Sequence, residues 1–167
     1  MSMKVLIAID DSPYSKHIVD AVMKQHWQPG TCFKLLTVLE MLCASPEEIE
    51  EFDADKALAK IYERRWNHAQ SLCEREVQKL QESFPEANVE YEIKEGSARK
   101  EIINIAVQWN AEKIYVGAHG MDVCPRNLLG SVSTYVAAHA PCSVEIIRPL
   151  VRAKEVKEPV SSAHKKH

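Results

Sequence analysis

The residues whose types and spacing suggest chemistry lie between Gly117 and Ser133. Gly117 and Gly120 are separated by two residues, and a third glycine, Gly130, is followed directly by Ser131. Because glycine has no Cβ, it lets the backbone approach a ligand closely and take conformations with φ > 0. Two glycines alone would be typical of a turn and a helix cap. The complete spacing G-x-x-G-x9-G-S is more specific, and it favours a site for a phosphate.

A predicted helix that begins near Ser131 strengthens this interpretation. The first N–H groups of a helix have no partner within it, and the helix dipole favours negative charge at that end. The hydroxyls of Ser131 and Ser133 can add hydrogen-bond donors, and neither serine needs to be a nucleophile. His119 is a further candidate contact, although a histidine in a turn is often only exposed.

Alternating strands and helices must position these residues. Apolar runs predict strands at Lys4–Ile9, Cys32–Leu39, Asn88–Lys94, Lys113–Ala118 and Cys142–Ile147. In Asn88–Lys94 polar and apolar residues alternate, which predicts a half-exposed strand at a sheet edge. Apolar residues at helical spacing predict helices over 13–25, over 54–83, after Gly96-Ser97, and from Ser131 to the residues before Pro141.

Strand–helix alternation of this kind implies a single α/β domain with a doubly wound, five-stranded parallel sheet. Of the two topologies that fit, we predict the strand order 3-2-1-4-5, with helices on both faces. Ligands of such sheets bind at the carboxyl ends of the strands, where the strand order switches. The loops after the first and fourth strands then lie side by side, which brings Asp10 close to Gly117–Gly120.

At these residues the sequence resembles the ATP-binding branch of the universal stress protein family. The resemblance rests on the opening Val5–Ser12, in which Asp10 ends the first strand, and on the strand Ile114–Gly117. It continues through the glycine-rich segment to Ser133 and through His139-Ala140-Pro141-Cys142. It covers almost all of the chain except the acidic connection 41–55 and the polar tail.

The resemblance implies an adenine nucleotide alpha hydrolase-like fold that binds ATP, with Mg²⁺ held mainly by the phosphates. It implies that the adenosine part is contacted by Ala8, Ile9, Asp10 and the backbone of Val38. The ribose and phosphates would be contacted by Val116, Gly117, His119 and Gly120, and the phosphate tail by Gly130, Ser131, Val132 and Ser133. Many members of the family pair as dimers through the last strand, so a homodimer is implied as well.

Three residues depart from the family pattern or modify it. Asp11 stands where a glycine is often found, and it adds negative charge near the expected phosphates. Arg126 is a candidate to offset the charge of Asp11. The alternative is that Arg126 is simply a solvated arginine in a loop. Glu145 interrupts the apolar fifth strand, where a charge can protect an exposed edge against pairing. This last departure counts against the usual dimer contact.

Composition narrows the classes of protein. The 167 residues are 46% hydrophobic and 27% charged with a net charge of −3, so no basic excess suggests nucleic acid as a partner. No apolar run approaches the ~20 residues that span a membrane. Five cysteines without a C-x-x-C pair indicate reduced thiols and a cytoplasmic protein. We expect no metal site, a domain over 1–149 and a flexible tail over 150–167.

The residues, taken together with this resemblance, leave three functions open. The first is a nucleotide-binding regulatory protein of the stress response, acting through an unknown protein partner. The second is a slow ATP hydrolase, against which the chain has no G-x-x-x-x-G-K and no paired-carboxylate signature. The third is a nucleotide-free interaction module, against which the intact glycines argue. We expect no dedicated enzyme and therefore name no catalytic residue.

Overall fold

The structure is a computed structural model that describes residues 2–41, 54–119 and 129–148. Within these residues, strands and helices alternate in the predicted order. They are β1 (Lys4–Ala8), α1 (Ser15–Met23), β2 (Cys32–Leu39), α2 (Ala54–Ser83), β3 (Asn88–Glu95), α3 (Ala98–Trp109), β4 (Lys113–Gly117), α4 (Ser131–His139) and β5 (Ser143–Ile147). Every strand boundary lies within one residue of its prediction. The acidic connection lies mostly outside the described residues, and the tail lies entirely outside them.

The five strands form one parallel sheet in the order β3-β2-β1-β4-β5, which confirms the predicted topology. β1 lies at the centre between β2 and β4, and β3 is an edge strand as expected. Since all strands run the same way, their carboxyl ends share one edge of the sheet. The loops that follow β1 and β4 therefore lie next to each other at that edge.

Two apolar cores, one on each face, hold the helices against the sheet. Val5 and Ile7 of β1 face α1 and α2, while Leu6 faces α3 and α4; all three side chains are fully buried. The apolar residues of α3 suggest that Val107 faces inward together with Ile102 and Ala106, but Val107 is 56% exposed and Ile105 is buried. The reason is geometric, because positions 102, 105 and 106 share one side of a helix and position 107 does not.

Helix α2 is longer than the sheet that it covers. Its 30 residues span about 45 Å at 1.5 Å per residue, whereas an eight-residue strand spans roughly 26 Å. Leu72 and Leu80, in its second half, are buried in the core. The apolar spacing of α2 places Ile61 on the same face, but Ile61 is 43% exposed. The apolar stripe of α2 thus continues beyond the area that the sheet can cover.

The edge strand β5 carries its one charged residue as part of an ion pair. Glu145 lies opposite Tyr115 in the sheet register, and its Oε2 is 2.6 Å from Nζ of Lys113 on β4. The charge that interrupts this strand is therefore balanced by a neighbouring strand. Nowhere in the described part of the chain is there a helix with the length and apolar character needed to cross a membrane.

Candidate functional site

A cavity of about 380 Å³ opens at the carboxyl ends of β1 and β4, beside the start of α4. Its size lies within the ~300–1,000 Å³ that is usual for small-molecule sites. The residues that we predicted for the site and that line this cavity are Ala8, Ile9, Asp10, Val38, Val116, Gly117, His119, Gly130, Ser131, Val132 and Ser133. The remaining one, Gly120, lies outside the described residues, as does Arg126.

The chain enters α4 as the glycine–serine pair predicts. Gly130 is the N-cap residue and Ser131 is the first residue of the helix, so the first N–H groups of α4 point out of its amino end at the cavity. The Gly130 N–H donates to the Ala118 carbonyl oxygen at 2.8 Å, which ties the start of α4 to the end of β4. The arrangement is suited to an anionic group.

The two serines differ in their surroundings. Ser131 is exposed at the mouth of the cavity. Ser133 is only 2% exposed, and its Oγ lies 3.0 Å from the carbonyl oxygens of both Ala118 and Gly130, to which it donates. The Ser133 hydroxyl is therefore engaged within the protein, whereas Ser131 is the exposed serine of the cavity lining.

Gly117 and Gly130 are needed for space rather than for a left-handed backbone. The described glycines with positive φ are Gly30 and Gly96, both away from the cavity. A Cβ at Gly117 would lie 3.0 Å from the His119 carbonyl oxygen, and one at Gly130 would lie 3.3 Å from the Ala118 carbonyl oxygen. Both neighbours are backbone atoms, so they cannot rotate away from a side chain.

Asp10 organises the loop between β1 and α1. Its Oδ1 accepts hydrogen bonds from the N–H and the hydroxyl of Ser12 and from Ser15 Oγ at 2.9 Å. The Asp10 N–H in turn donates to Ser15 Oγ at 2.8 Å. Asp10 lines the cavity, yet one of its carboxylate oxygens is already occupied. This residue thus shapes the turn in addition to any contact with a ligand.

The charge of Asp11 is directed away from the cavity. Its Oδ1 lies 2.6 Å from Nε2 of His68 on α2, and both side chains are mostly exposed. Asp11 does not line the cavity. The expectation that Asp11 adds negative charge beside the phosphates therefore does not hold for this geometry, since the side chain pairs with α2 instead.

His119 contributes a buried polar atom that lacks a hydrogen-bond partner. Its Nδ1 is buried and has no hydrogen-bond partner among the described residues, and its ring lies 6.1 Å from that of Tyr14. A buried polar atom without a partner costs free energy unless something bonds to it. In a cavity wall, a bound ligand or ordered water can supply that bond.

Sequence reasoning missed seven further lining residues because they come from segments outside the motif. They are Ile18, Leu36, Glu40, Arg65, Ala98, Arg99 and Ile102. Glu40 connects two of the helices: its carbonyl accepts from Arg65 of α2 at 2.8 Å, and its Oε1 accepts from the Ala98 N–H of α3 at 3.2 Å. The position of Glu40 directly after β2 was the one available signal, since site residues follow strands in such sheets.

A second recess of about 410 Å³ lies at the opposite end of the sheet, between the loop after α1 and the residues that follow α2. It is lined by Trp27, Pro29, Phe84 and Pro85, among others. None of the helices that the structure describes begins at this recess, so free helix N–H groups that would favour an anion are not provided there by the described residues. We therefore assign the candidate site to the cavity at the carboxyl edge.

The strand order and the helices on both faces are those of the adenine nucleotide alpha hydrolase-like class of α/β folds, as predicted. A family model described as the universal stress protein family matches residues 1–148. The chain therefore belongs to the universal stress protein family.

Individual relatives are distant in sequence and similar in fold. A universal stress protein of Synechocystis sp. is 23% identical over 149 residues, which cover 87% of this chain and 97% of the relative. The structure of UspA from Lactobacillus plantarum is 24% identical with a TM-score of 0.68, over 87% of this chain and 97% of that one. A universal stress protein family protein from Arabidopsis thaliana, solved with AMP bound, is 21% identical with a TM-score of 0.60, over 93% and 95% of the two chains.

Proposed function

We propose that this protein binds an adenine nucleotide, specifically ATP, in the cavity at the carboxyl ends of β1 and β4. The observation that carries the proposal is the amino end of α4, with Gly130 and Ser131, which opens into a cavity of suitable size. The AMP bound to the Arabidopsis relative supports the same ligand class for this chain.

In this proposal the phosphates lie at the start of α4. The N–H groups of Ser131, Val132 and Ser133 and the hydroxyl of Ser131 donate to phosphate oxygens. The absence of a Cβ at Gly130 lets the start of α4 pack closely against Ala118 and His119. His119 supplies its unpartnered Nδ1. Mg²⁺, when bound, is held mainly by the phosphates and neutralises part of their charge.

The base and ribose lie against the apolar part of the cavity. Its wall is formed by Ala8, Leu36, Val38, Ile102 and Val116. Aliphatic side chains of this kind bury the faces of a base, while backbone groups of Val38 and the remaining carboxylate oxygen of Asp10 offer polar contacts. Gly120 would complete the ribose and phosphate contacts.

We propose further that the protein functions by binding the nucleotide rather than by hydrolysing it. The protein would act in the stress response of the cytoplasm, as a homodimer joined through β5, and bound nucleotide would change its contact with a regulatory partner. Support for the compartment comes from the free thiols Cys32, Cys73 and Cys142. Support for the dimer comes from β5, which is an edge strand of the sheet. The charge of Glu145 on this strand is balanced by Lys113, so it does not oppose pairing with a second copy. A turnover above about 1 s⁻¹ would contradict a purely regulatory role.

Calorimetric titration of ligand-free protein with Mg-ATP tests the proposal. Gly130→Val should lower the affinity at least tenfold, because its side chain fills the space beside the Ala118 carbonyl. Ala137→Val is the matched control, since it adds similar bulk at an exposed position of the same helix. If folded, ligand-free wild-type protein binds no adenine nucleotide, or if Gly130→Val binds as tightly as Ala137→Val, the proposal is wrong.

A further inference from the structure

Arg99 brings a second source of positive charge to the cavity. It lies in the first turn of α3, and it lines the cavity. Its guanidinium carbon is 5.9 Å from the centroid of the Tyr135 ring on α4. The side chain therefore reaches from one helix to the next across the edge of the site.

The ring that holds Arg99 is itself fixed. Tyr135 is half-buried, and its ring stacks on that of His139 with 4.0 Å between the centroids and 16° between the planes. The Nδ1 of His139 lies 2.9 Å from the Tyr135 carbonyl oxygen, which also orients the imidazole. An arginine on an aromatic face keeps its donors available at the rim of the ring.

Arg99 is also close to the proposed phosphate site. Tyr135 comes four residues after Ser131, which is about one turn or 6 Å along the helix axis. A guanidinium beside this ring lies near the same helix end at which the N–H groups favour an anion. The dipole of α4 and the charge of Arg99 therefore both favour an anion at the amino end of α4.

The other charged side chains that line the cavity are hydrogen-bonded within the protein, and among them Glu40 Oε1 accepts from the Ala98 N–H at 3.2 Å. Asp10 accepts from Ser12 and Ser15, and Arg65 donates to the Glu40 carbonyl. Across residues 2–41, 54–119 and 129–148, we find no carboxylate within ion-pair distance of Arg99. Arg99 is thus a cavity cation without a carboxylate partner among the described residues, and its charge is available to a ligand.

We infer that Arg99 determines specificity by responding to the number of phosphates on the nucleotide. This rests on the proposed function and goes beyond it, because the helix end alone can hold any single phosphate. A guanidinium next to that end adds an attraction that grows with each further negative charge. The protein should then prefer ATP to ADP and ADP to AMP, and most of that preference should depend on Arg99.

Titrations of AMP, ADP and ATP against wild type and Arg99→Gln test this inference. We expect Arg99→Gln to lower ATP affinity about tenfold and AMP affinity less than about threefold, in line with the strength of charge-assisted hydrogen bonds. Lys100→Gln is the matched control: it removes the same charge from the next residue, which is exposed and does not line the cavity. It should leave all three affinities unchanged.

Two further measurements separate charge from folding. Arg99→Lys should recover part of the ATP preference, and raising the salt concentration should weaken ATP binding to wild type more than to Arg99→Gln. Tyr135→Leu should reduce the preference by releasing the guanidinium, whereas Tyr135→Phe should retain it. Equal losses for all three nucleotides in Arg99→Gln would overturn the inference while leaving the proposed function intact. Absence of any nucleotide binding to wild type would overturn both.

Discussion

Replacing Ser133 with alanine should destabilise the fold by about 1 kcal/mol. The Ser133 side chain is 2% exposed and has one hydroxyl hydrogen for two carbonyl acceptors, each 3.0 Å away, so the change removes about one net hydrogen bond. Neither carbonyl is left without a partner. The Ala118 oxygen keeps the Gly130 N–H at 2.8 Å, and the Gly130 oxygen keeps the Thr134 N–H at 3.0 Å. No further penalty for an unsatisfied buried group is therefore expected.

Urea unfolding followed by tryptophan fluorescence measures this loss, which corresponds to a fall in Tm of roughly 2–4 °C for a chain of this size. Ser131→Ala is the matched control, because Ser131 is exposed and begins the same helix. It should change the unfolding free energy by less than about 0.5 kcal/mol and lower ATP affinity about fivefold. Unchanged stability in Ser133→Ala, or equal destabilisation by both variants, would refute the division of roles between the two serines.

Two further predictions concern the scaffold. Although partial burial opposes its charged form, hydrogen bonds from Lys94 and Lys34 hold the pKa of Glu92 below its usual value. Because the folded pKa is depressed, this stabilisation is present above about pH 4.3 and is lost as the pH falls through the folded pKa. Glu92→Gln should thus lower the unfolding free energy near neutral pH and converge with wild type in acid; a constant difference across that range would contradict it. Leu80→Ala, at a fully buried position, should cost about 2–5 kcal/mol in urea unfolding, and a loss below about 1 kcal/mol would count against the assigned core.

The fold was predictable because local patterns and topology agree. Four strands are short apolar runs and β3 alternates polar and apolar residues. Strict alternation of strands and helices leaves few ways to arrange five parallel strands. The 54–83 helix was predicted at its observed bounds, since Pro85 and the apolar spacing mark it clearly. The apolar pattern of α2 could not show how much of the helix the sheet covers. The exposure of Ile61 depends on the length of the neighbouring strands rather than on its own sequence context.

The candidate site was predictable where its residues follow the strands or belong to the glycine-rich motif. The lining residues of α2 and α3 were not predictable, because Arg65 and Arg99 lie in ordinary charged stretches and reach the cavity only through the packing of these two helices. The same holds for Asp11. Its position in the chain suggested a charge beside the phosphates, but contact with His68 of α2 turns it away.

The measurement that tests the central claim most directly is a map of backbone amide shifts on titration of ¹⁵N-labelled protein with Mg-ATP. We predict that the largest shifts fall on three segments at one edge of the sheet: 8–10, 116–119 and 130–133. The amides around Trp27 and Phe84, at the second recess, should remain unchanged and serve as the internal control. Largest shifts at that recess, or no shifts at saturating ATP, would contradict a nucleotide site at the carboxyl ends of β1 and β4.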